Sequence, residues 1–393
     1  MTERVPEVPA GVGSSSADPA VGGLVAPAAD LLSSPPAARP SRAPRTSVPE
    51  LSPEELAAVA VPFQVPLNRT FRGVDSREGL LFCGPKGWAE WAPFREYDDW
   101  EAARWLAAAV EAGWGGWPAP TRDRVPVNVI VPALAPDEVA SFVTDAAART
   151  GATTYKVKVG GPGSALADDL ARVATVRAAL SEAGVRDPLL RLDANGAWTV
   201  AEARRAARMF AAEFGPVLDY LEQPCRTVTE LAELRYRLVD DEVSVRIAVD
   251  EGLRRVRDLY ANDLAASLRS AGDLLVVKAA PVGGVARALE LVEEIGLPVV
   301  VSSEMNTSIG LAAGIALAAA LPQLAGACGL GTGLLLADDV CSSTLVPREG
   351  ELPVTRRLPD EAALGRAASA LGAEGALWWR ERLARCARLL SVV

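Results

Sequence analysis

The chain has 393 residues, half of them hydrophobic, with 40 basic against 50 acidic side chains and a net charge of −10. That length suits two domains, or one large barrel with an accessory unit, and the negative balance argues against a nucleic-acid surface or an anionic membrane as partner. There is no histidine, which removes Ser-His-Asp and Cys-His catalysis and leaves proton transfer near neutral pH to carboxylate, tyrosine, cysteine or lysine.

Residues 1–50 are rich in Pro, Ala, Ser and Gly without sustained periodicity, and a disordered extension without assigned function is expected there. From Phe63 short apolar segments follow, and "GLLFCGPKGWAEWAPF" reads as a hairpin turning at Gly84-Pro85-Lys86-Gly87. A helix is predicted from Trp100 to about Ala112, and the tryptophans at 88, 91, 100, 105, 114 and 117 read as core of this accessory unit. Beyond "GWGGWPAP" a regular alternation begins. Strands are predicted over 125–131, 154–159, 189–193, 218–222, 246–250, 274–278, 298–303 and 327–330, with Ala-, Leu- and Arg-rich helical segments between them. Eight strands at about 30 residues per unit favour a β/α barrel over an open sheet. No G-x-G-x-x-G follows the first strand, so a dinucleotide fold is disfavoured. From Arg348 onward, "ALWWRERLARCARLL" reads as an amphipathic helix that could return to the N-terminal unit. No apolar run is long enough to cross a membrane, and 309–321 reads as a buried helix. No secretory signal is visible and the five cysteines lack metal-site spacing, so a cytoplasmic protein with reduced thiols is expected; monomer and homo-oligomer stay open.

Each predicted strand ends on polar residues: Lys156 and Lys158, Asp193 and Asn195, Glu222, Asp250 and Glu251, then Lys278. Barrel active sites lie where such ends converge. Three carboxylates on consecutive strands repel unless neutralised, and an oxygen-only set suits Mg²⁺ best, with Mn²⁺ possible. The competing reading is that these acids cap the following helices. Of 40 basic residues only four are lysines, at 86, 156, 158 and 278. Guanidinium cannot act as a base near neutral pH, whereas an amine can, so lysines flanking the acids suggest proton abstraction beside a carboxylate with a stabilised enediolate. The competing reading is a salt-bridged rim. Glu251, next to a ligand candidate, should point the other way and act structurally. "VVSSEMNTSIG" opens a helix with Ser302, Ser303 and Asn306, where a substrate carboxylate could bind. "CGLGTG", with Gly331, offers a Gly-rich turn nearby.

In order, K-x-K, D-x-N, E-Q-P, D-E and a later lysine resemble the enolase superfamily, muconate-lactonizing subgroup. More closely, "FRGVDSREGLL", "YKVKV", "LDANGAWTV", "LEQPC", "VVKAAPVGGVARAL" and "SSEMNTSIGLAAGIALAAALP" are similar to the actinobacterial o-succinylbenzoate synthase family, over most of the chain outside the tail. The resemblance implies an α/β fold: a modified TIM-type (β/α)7β barrel at 123–340 with an α+β capping domain built from 51–122 and 341–393. It implies Mg²⁺ on Asp193, Glu222 and Asp250, Lys158 as base and then acid, Lys278 as the cation on the opposite face, and Lys156 in support. Asn195, Ser302, Ser303, Asn306 and Gly331 fall at the substrate side. The expected reaction is dehydration of 2-succinyl-6-hydroxy-2,4-cyclohexadiene-1-carboxylate to 2-succinylbenzoate in menaquinone biosynthesis. Family members more usually carry an acidic residue at the position of Asn306 and a small one at Glu304, a difference on the substrate side of the site.

Two other functions stay open at this point. An N-acylamino-acid racemase or epimerase of the same superfamily needs the same pair of lysines. A barrel retained only for binding is the third, though it has no need of such clustered charge.

Overall fold

The computed structural model describes residues 49–391, so the expected extension over 1–50 lies almost wholly outside the described residues. Ser52 and Glu55 form a capping box that starts α1 (Pro53–Ala58). Strands β1 (Ala60–Phe71), β2 (Val74–Gly84) and β3 (Gly87–Trp91) then make an antiparallel sheet. β1 turns into β2 through only Arg72 and Gly73, both at positive φ (53° and 77°), as a two-residue hairpin turn of the favoured twist requires. β2 and β3 meet at the Gly84–Gly87 pair, at the expected hairpin. Asp98 caps α2 (Asp99–Val110), which runs into one π-helical turn at Glu111–Gly115.

The barrel follows as β4 (Arg124–Pro126), β5 (Val129–Val131), α3 (Pro136–Thr150), β6 (Thr154–Lys158), α4 (Leu166–Glu182), β7 (Leu189–Asp193) and α5 (Val200–Phe214). It continues with β8 (Leu218–Glu222), α6 (Val228–Asp240), β9 (Ile247–Val249), α7 (Glu251–Arg254), α8 (Leu264–Ala271), β10 (Leu274–Val277), α9 (Val285–Ile295), β11 (Val299–Val301) and α10 (Leu311–Ala320). β5 to β11 lie side by side in chain order as one parallel sheet. Alternation sorts their side chains. Val157, Leu190, Leu192, Leu221 and Val249 pack toward the helices, whereas Tyr220, Ala248, Leu274, Val276 and Val300 form a separate small cluster, the plug of the barrel interior.

Two predicted strands differ from expectation. The first is broken: β4 pairs antiparallel with β12 (Glu351–Pro353), and only β5 joins the barrel sheet. The eighth, over 327–330, makes isolated bridges from Cys328 to Val127 and from Gly329 to Ser302. These suffice to close the ring, since Cys328 N donates to Pro126 O and Gly329 N to Val301 O, each at 2.7 Å. A side chain at Gly329 would come within 2.6 Å of Ser302 Oγ. Closure therefore demands glycine where a regular strand would prefer a branched residue.

The last helix, α11 (Glu361–Ala387), returns to the first sheet. Trp379 is fully buried edge-on to Trp91, centroids 5.4 Å apart, and Arg382 Nη1 donates to Phe94 O at 3.1 Å. This helix thus shares one core with Phe63, Leu80 and Leu106, which caps the barrel. Among the described residues no helix is long and apolar enough to cross a membrane. Replacing Trp379 with alanine should lower unfolding stability by about 3–5 kcal/mol in denaturant titration. An unchanged midpoint would show that the cap does not depend on this helix.

Candidate active site

β6 presents Lys156 and Lys158 on one face, and the β6–β7–β8 register sets Lys158 beside Asp193 and Asp193 beside Glu222. Lys156 Nζ donates to Glu222 Oε1 at 2.8 Å and lies 3.2 Å from Asp193 Oδ2. Lys158 Nζ donates to Asp193 Oδ2 at 2.6 Å and to Asn195 Oδ1 at 2.7 Å. Across the mouth, the Lys278 ammonium pairs with Asp250. The carboxylates are almost completely buried, at 1% exposure for Asp193, 0% for Glu222 and 4% for Asp250.

Burial works against the Lys156 ammonium, but Glu222 and Asp193 outweigh it and hold its pKa well above the ordinary lysine range. Burial likewise opposes the Asp193 charge, and Lys158 and Lys156 prevail, keeping it far below the usual carboxylate range. Asp250 is lowered against burial by Lys278. Glu222 is the least compensated: burial and the Asp193 charge push it up to about 7 in spite of Lys156.

The donor set fits a hard divalent cation. It is all oxygen and buried, and Glu222 Oε2 and Asp250 Oδ1 have no hydrogen-bond partner, as ligand positions for Mg²⁺ require. Among the described residues no three His, Cys, Asp or Glu side chains already converge as a cage, because each acid is drawn onto a lysine.

The strand ends are set by strained turns. Asn195, Gln223 and Met305 have φ of 50°, 41° and 60°, a left-handed conformation that non-glycine residues adopt at a cost and that concentrates at functional sites. Gln223 Oε1 accepts from Asp250 N and Gly252 N, each at 3.0 Å, and so fixes the turn that carries Asp250. Glu251 departs from expectation. β9 ends at Val249, alternation no longer applies in the following turn, and Glu251 lines the cleft, accepting from Asn195 Nδ2 at 3.2 Å.

The cleft over these residues is also lined by Ser302, Ser303, Glu304, Met305 and Thr332. Ser303 Oγ meets Gly329 O at 3.1 Å and Thr332 Oγ1 at 2.8 Å, and Ser302 Oγ donates to Gly329 O at 3.4 Å. Asn306 and Gly331 are not brought to the cleft. Asn306 accepts from Glu304 N at 3.1 Å and donates to Glu90 Oε1 at 2.9 Å. Gly331 packs where a Cβ would lie 2.7 Å from Asn128 O. The cap supplies Phe71, Arg72, Phe94, Tyr97 and Trp105, of which only Trp105 was singled out from sequence, as core. Phe71 and Arg72 fall in the stretch "FRGVDSREGLL", but nothing local in the sequence marks any of the others as lining the site, since tertiary packing delivers the hairpin tip to the mouth.

Burial pushes the Glu304 carboxyl up to about 7, against Lys278. Its unfolded value lies near 4.5, so its contribution to stability is present below pH 4.5 and lost as pH rises through 7. Between pH 5 and 8 the wild type should lose about 2 kcal/mol relative to Glu304→Gln, measured by unfolding at each pH. Parallel pH profiles for the two proteins would contradict this.

Comparison with known proteins identifies the family. Residues 62–113 match the family model described as Enolase N-terminal domain-like, and residues 138–361 the one described as Enolase C-terminal domain-like. The chain is 52% identical to the o-succinylbenzoate synthase of Thermobifida fusca (strain YX) over 295 residues, 75% of this chain and 86% of that protein. It is 45% identical to the o-succinylbenzoate synthase of Mycobacterium tuberculosis over 350 residues, 87% of this chain and 98% of that protein. The muconate lactonizing enzyme of Pseudomonas putida shares the fold, with a TM-score of 0.62 at 17% identity over 78% of this chain and 98% of that one. The chain belongs to the enolase superfamily and, within it, to the o-succinylbenzoate synthases, a family of lyases.

Proposed function

We propose that this chain removes water from 2-succinyl-6-hydroxy-2,4-cyclohexadiene-1-carboxylate to give 2-succinylbenzoate, the step that menaquinone biosynthesis requires. The observation that carries this reading is the placement of Lys158 and Lys278. They stand at the ends of β6 and β10, four strands apart in a ring of eight, so they face one another across the cleft. Lys158, oriented by Asp193 and Asn195, takes the proton from the carbon beside the ring carboxylate and then gives it to the departing hydroxide. The C–H and C–O bonds break, a ring double bond forms, and water and the aromatic product result. Lys278 faces the developing enediolate as a cation. Lys156, held protonated between Glu222 and Asp193, keeps a fixed positive charge beside the base. Asp193, Glu222 and Asp250 would hold Mg²⁺, or Mn²⁺, which when bound serves as a Lewis acid toward the substrate carboxylate. The division into a cap of 51–122 with 341–393 and a barrel of 123–340 is part of the same reading, as is a cytoplasmic setting, with which the five free cysteines agree.

The facing lysines also favour a second reading, racemisation of N-acylamino acids, because proton removal on one face and return on the other needs the same pair. Purified protein with Mg²⁺ and the cyclohexadiene substrate should form aromatic product, followed by ultraviolet absorbance. Racemisation of N-succinylamino acids without dehydration would replace the first reading by the second. Lys158→Ala and Lys278→Ala should each reduce kcat by roughly 10²–10⁴-fold while calorimetric Mg²⁺ binding persists. Near-normal turnover in either variant would remove that lysine from the mechanism.

A further inference from the structure

The product of the proposed reaction carries two carboxylates, one on the ring and one at the end of the succinyl chain. The ring carboxylate belongs beside the strand-end lysines, since the proton leaves the adjacent carbon. The chain carboxylate must then find a cation elsewhere in the cleft, or remain in water. Lys156, Lys158 and Lys278 are engaged by Glu222, Asp193 and Asp250. The other cations lining the cleft are Arg72 and Arg254.

Neither arginine is placed by chance packing. Arg72 occupies the two-residue turn of the β1–β2 hairpin, and its positive φ fixes how the tip is presented. Its neighbour Phe71 has its ring centroid 5.7 Å from Lys158 Nζ, so the tip overlies the base. Arg72 Nη2 donates to Tyr97 Oη at 3.3 Å and its guanidinium lies 4.6 Å from the Phe94 ring centroid. Among the described residues Arg72 makes no ion pair. Arg254, at the end of α7, is 9% exposed, pairs with Glu101 through Nη1 at 2.7 Å, and lies 5.2 Å from the Tyr97 ring centroid. One tyrosine therefore carries both guanidiniums, one on its hydroxyl and one against its ring. Planar cations bedded on aromatic rings keep their N–H edges oriented for a carboxylate. Glu251, which also lines the cleft, is bound by Asn195 through one oxygen and makes no ion pair with Arg72, so that guanidinium is open to an external anion.

We propose that Arg72 and Arg254 receive the chain carboxylate of the substrate, which makes them the residues that select a dianion over a monoanion. This rests on the synthase reading and extends it to the cap side of the same cleft.

The test compares calorimetric binding of 2-succinylbenzoate and of its monomethyl ester at the chain carboxylate, with Mg²⁺ present. Wild-type protein should bind the diacid roughly 10–100-fold more tightly than the ester, the range for a charged hydrogen-bonded pair. Arg72→Asn suits the variant because asparagine tolerates positive φ and the site is an exposed turn. It should lose most of that preference by weakening diacid binding, while ester affinity stays within about 2-fold. Arg254→Gln should do the same, and Arg72→Lys should keep part of the preference. In turnover the loss should fall on KM more than on kcat. Equal wild-type affinity for diacid and ester, or full preference retained in Arg72→Asn, would overturn the inference. Intact discrimination in a protein that does not dehydrate the substrate would support the arginine pair and overturn the reaction assignment instead.

Discussion

Three carboxylates and three lysines share the mouth of one barrel, and neither set is tolerable there without the other. Charges as buried as Asp193, Glu222 and Asp250 cost several kcal/mol each unless paired. The pairing is a chain, Lys158 to Asp193 to Lys156 to Glu222, with Lys278 and Asp250 as a separate couple across the opening. It holds only while β6, β7 and β8 keep their register, because a slip of one residue would turn every one of these side chains toward the helices. The electrostatics of the site and the topology of the sheet are therefore one constraint. Its weak point is Glu222, where attraction from Lys156 does not offset burial and the neighbouring Asp193. A further positive charge would relieve that acid most.

The barrel supplies the floor of the cleft, but the cap holds one of its walls. Glu90 on β3 accepts from Thr307 N at 3.0 Å, Thr307 Oγ1 at 2.5 Å and Asn306 Nδ2 at 2.9 Å. Arg77 on β2 donates to Met305 O at 3.2 Å. These contacts pin the left-handed turn at Met305 and with it the segment bearing Ser303 and Glu304. Gly310 is part of the same grip, since a Cβ there would come within 2.5 Å of the Glu90 carboxyl. Asn306 thus contributes to the site through the backbone it steadies.

The barrel strands and their charged ends were legible because both are periodic. A β-branched run that stops on a lysine or an acid says which strand it is and where it ends. Legibility failed where the chain leaves that period. Glu251 could not be oriented from alternation, since the strand before it stops at Val249. Asn306 has the chemistry of a ligand-binding side chain, and only the fold reveals that Glu90, more than 200 residues earlier, engages it. Arg72 lies in one of the stretches that carry the family resemblance, but nothing in that stretch ties it to Tyr97 and Arg254. They form a group only because a hairpin tip, a loop before α2 and a short helix after β9 converge, and convergence of that kind leaves no trace in local sequence.

The interior of the barrel supplies its own control on why lysine stands at the mouth. Arg191 shares a face of β7 with Asp193, two residues earlier, and is 0% exposed. There the chain uses a guanidinium, held by Asp219 at 2.8 Å and Asn128 at 2.9 Å, with the Tyr220 ring centroid 4.7 Å away. Where a permanent, multiply bonded positive charge is wanted inside this barrel, arginine provides it. At the strand ends, on the same inward faces, the cations are lysines instead. Lys156 shows that amines there can be kept charged by their neighbours, so charge alone does not explain the choice at 158 and 278. What an amine offers beyond charge is a proton it can release and recover, on a stem compact enough to let a substrate lie between two of them.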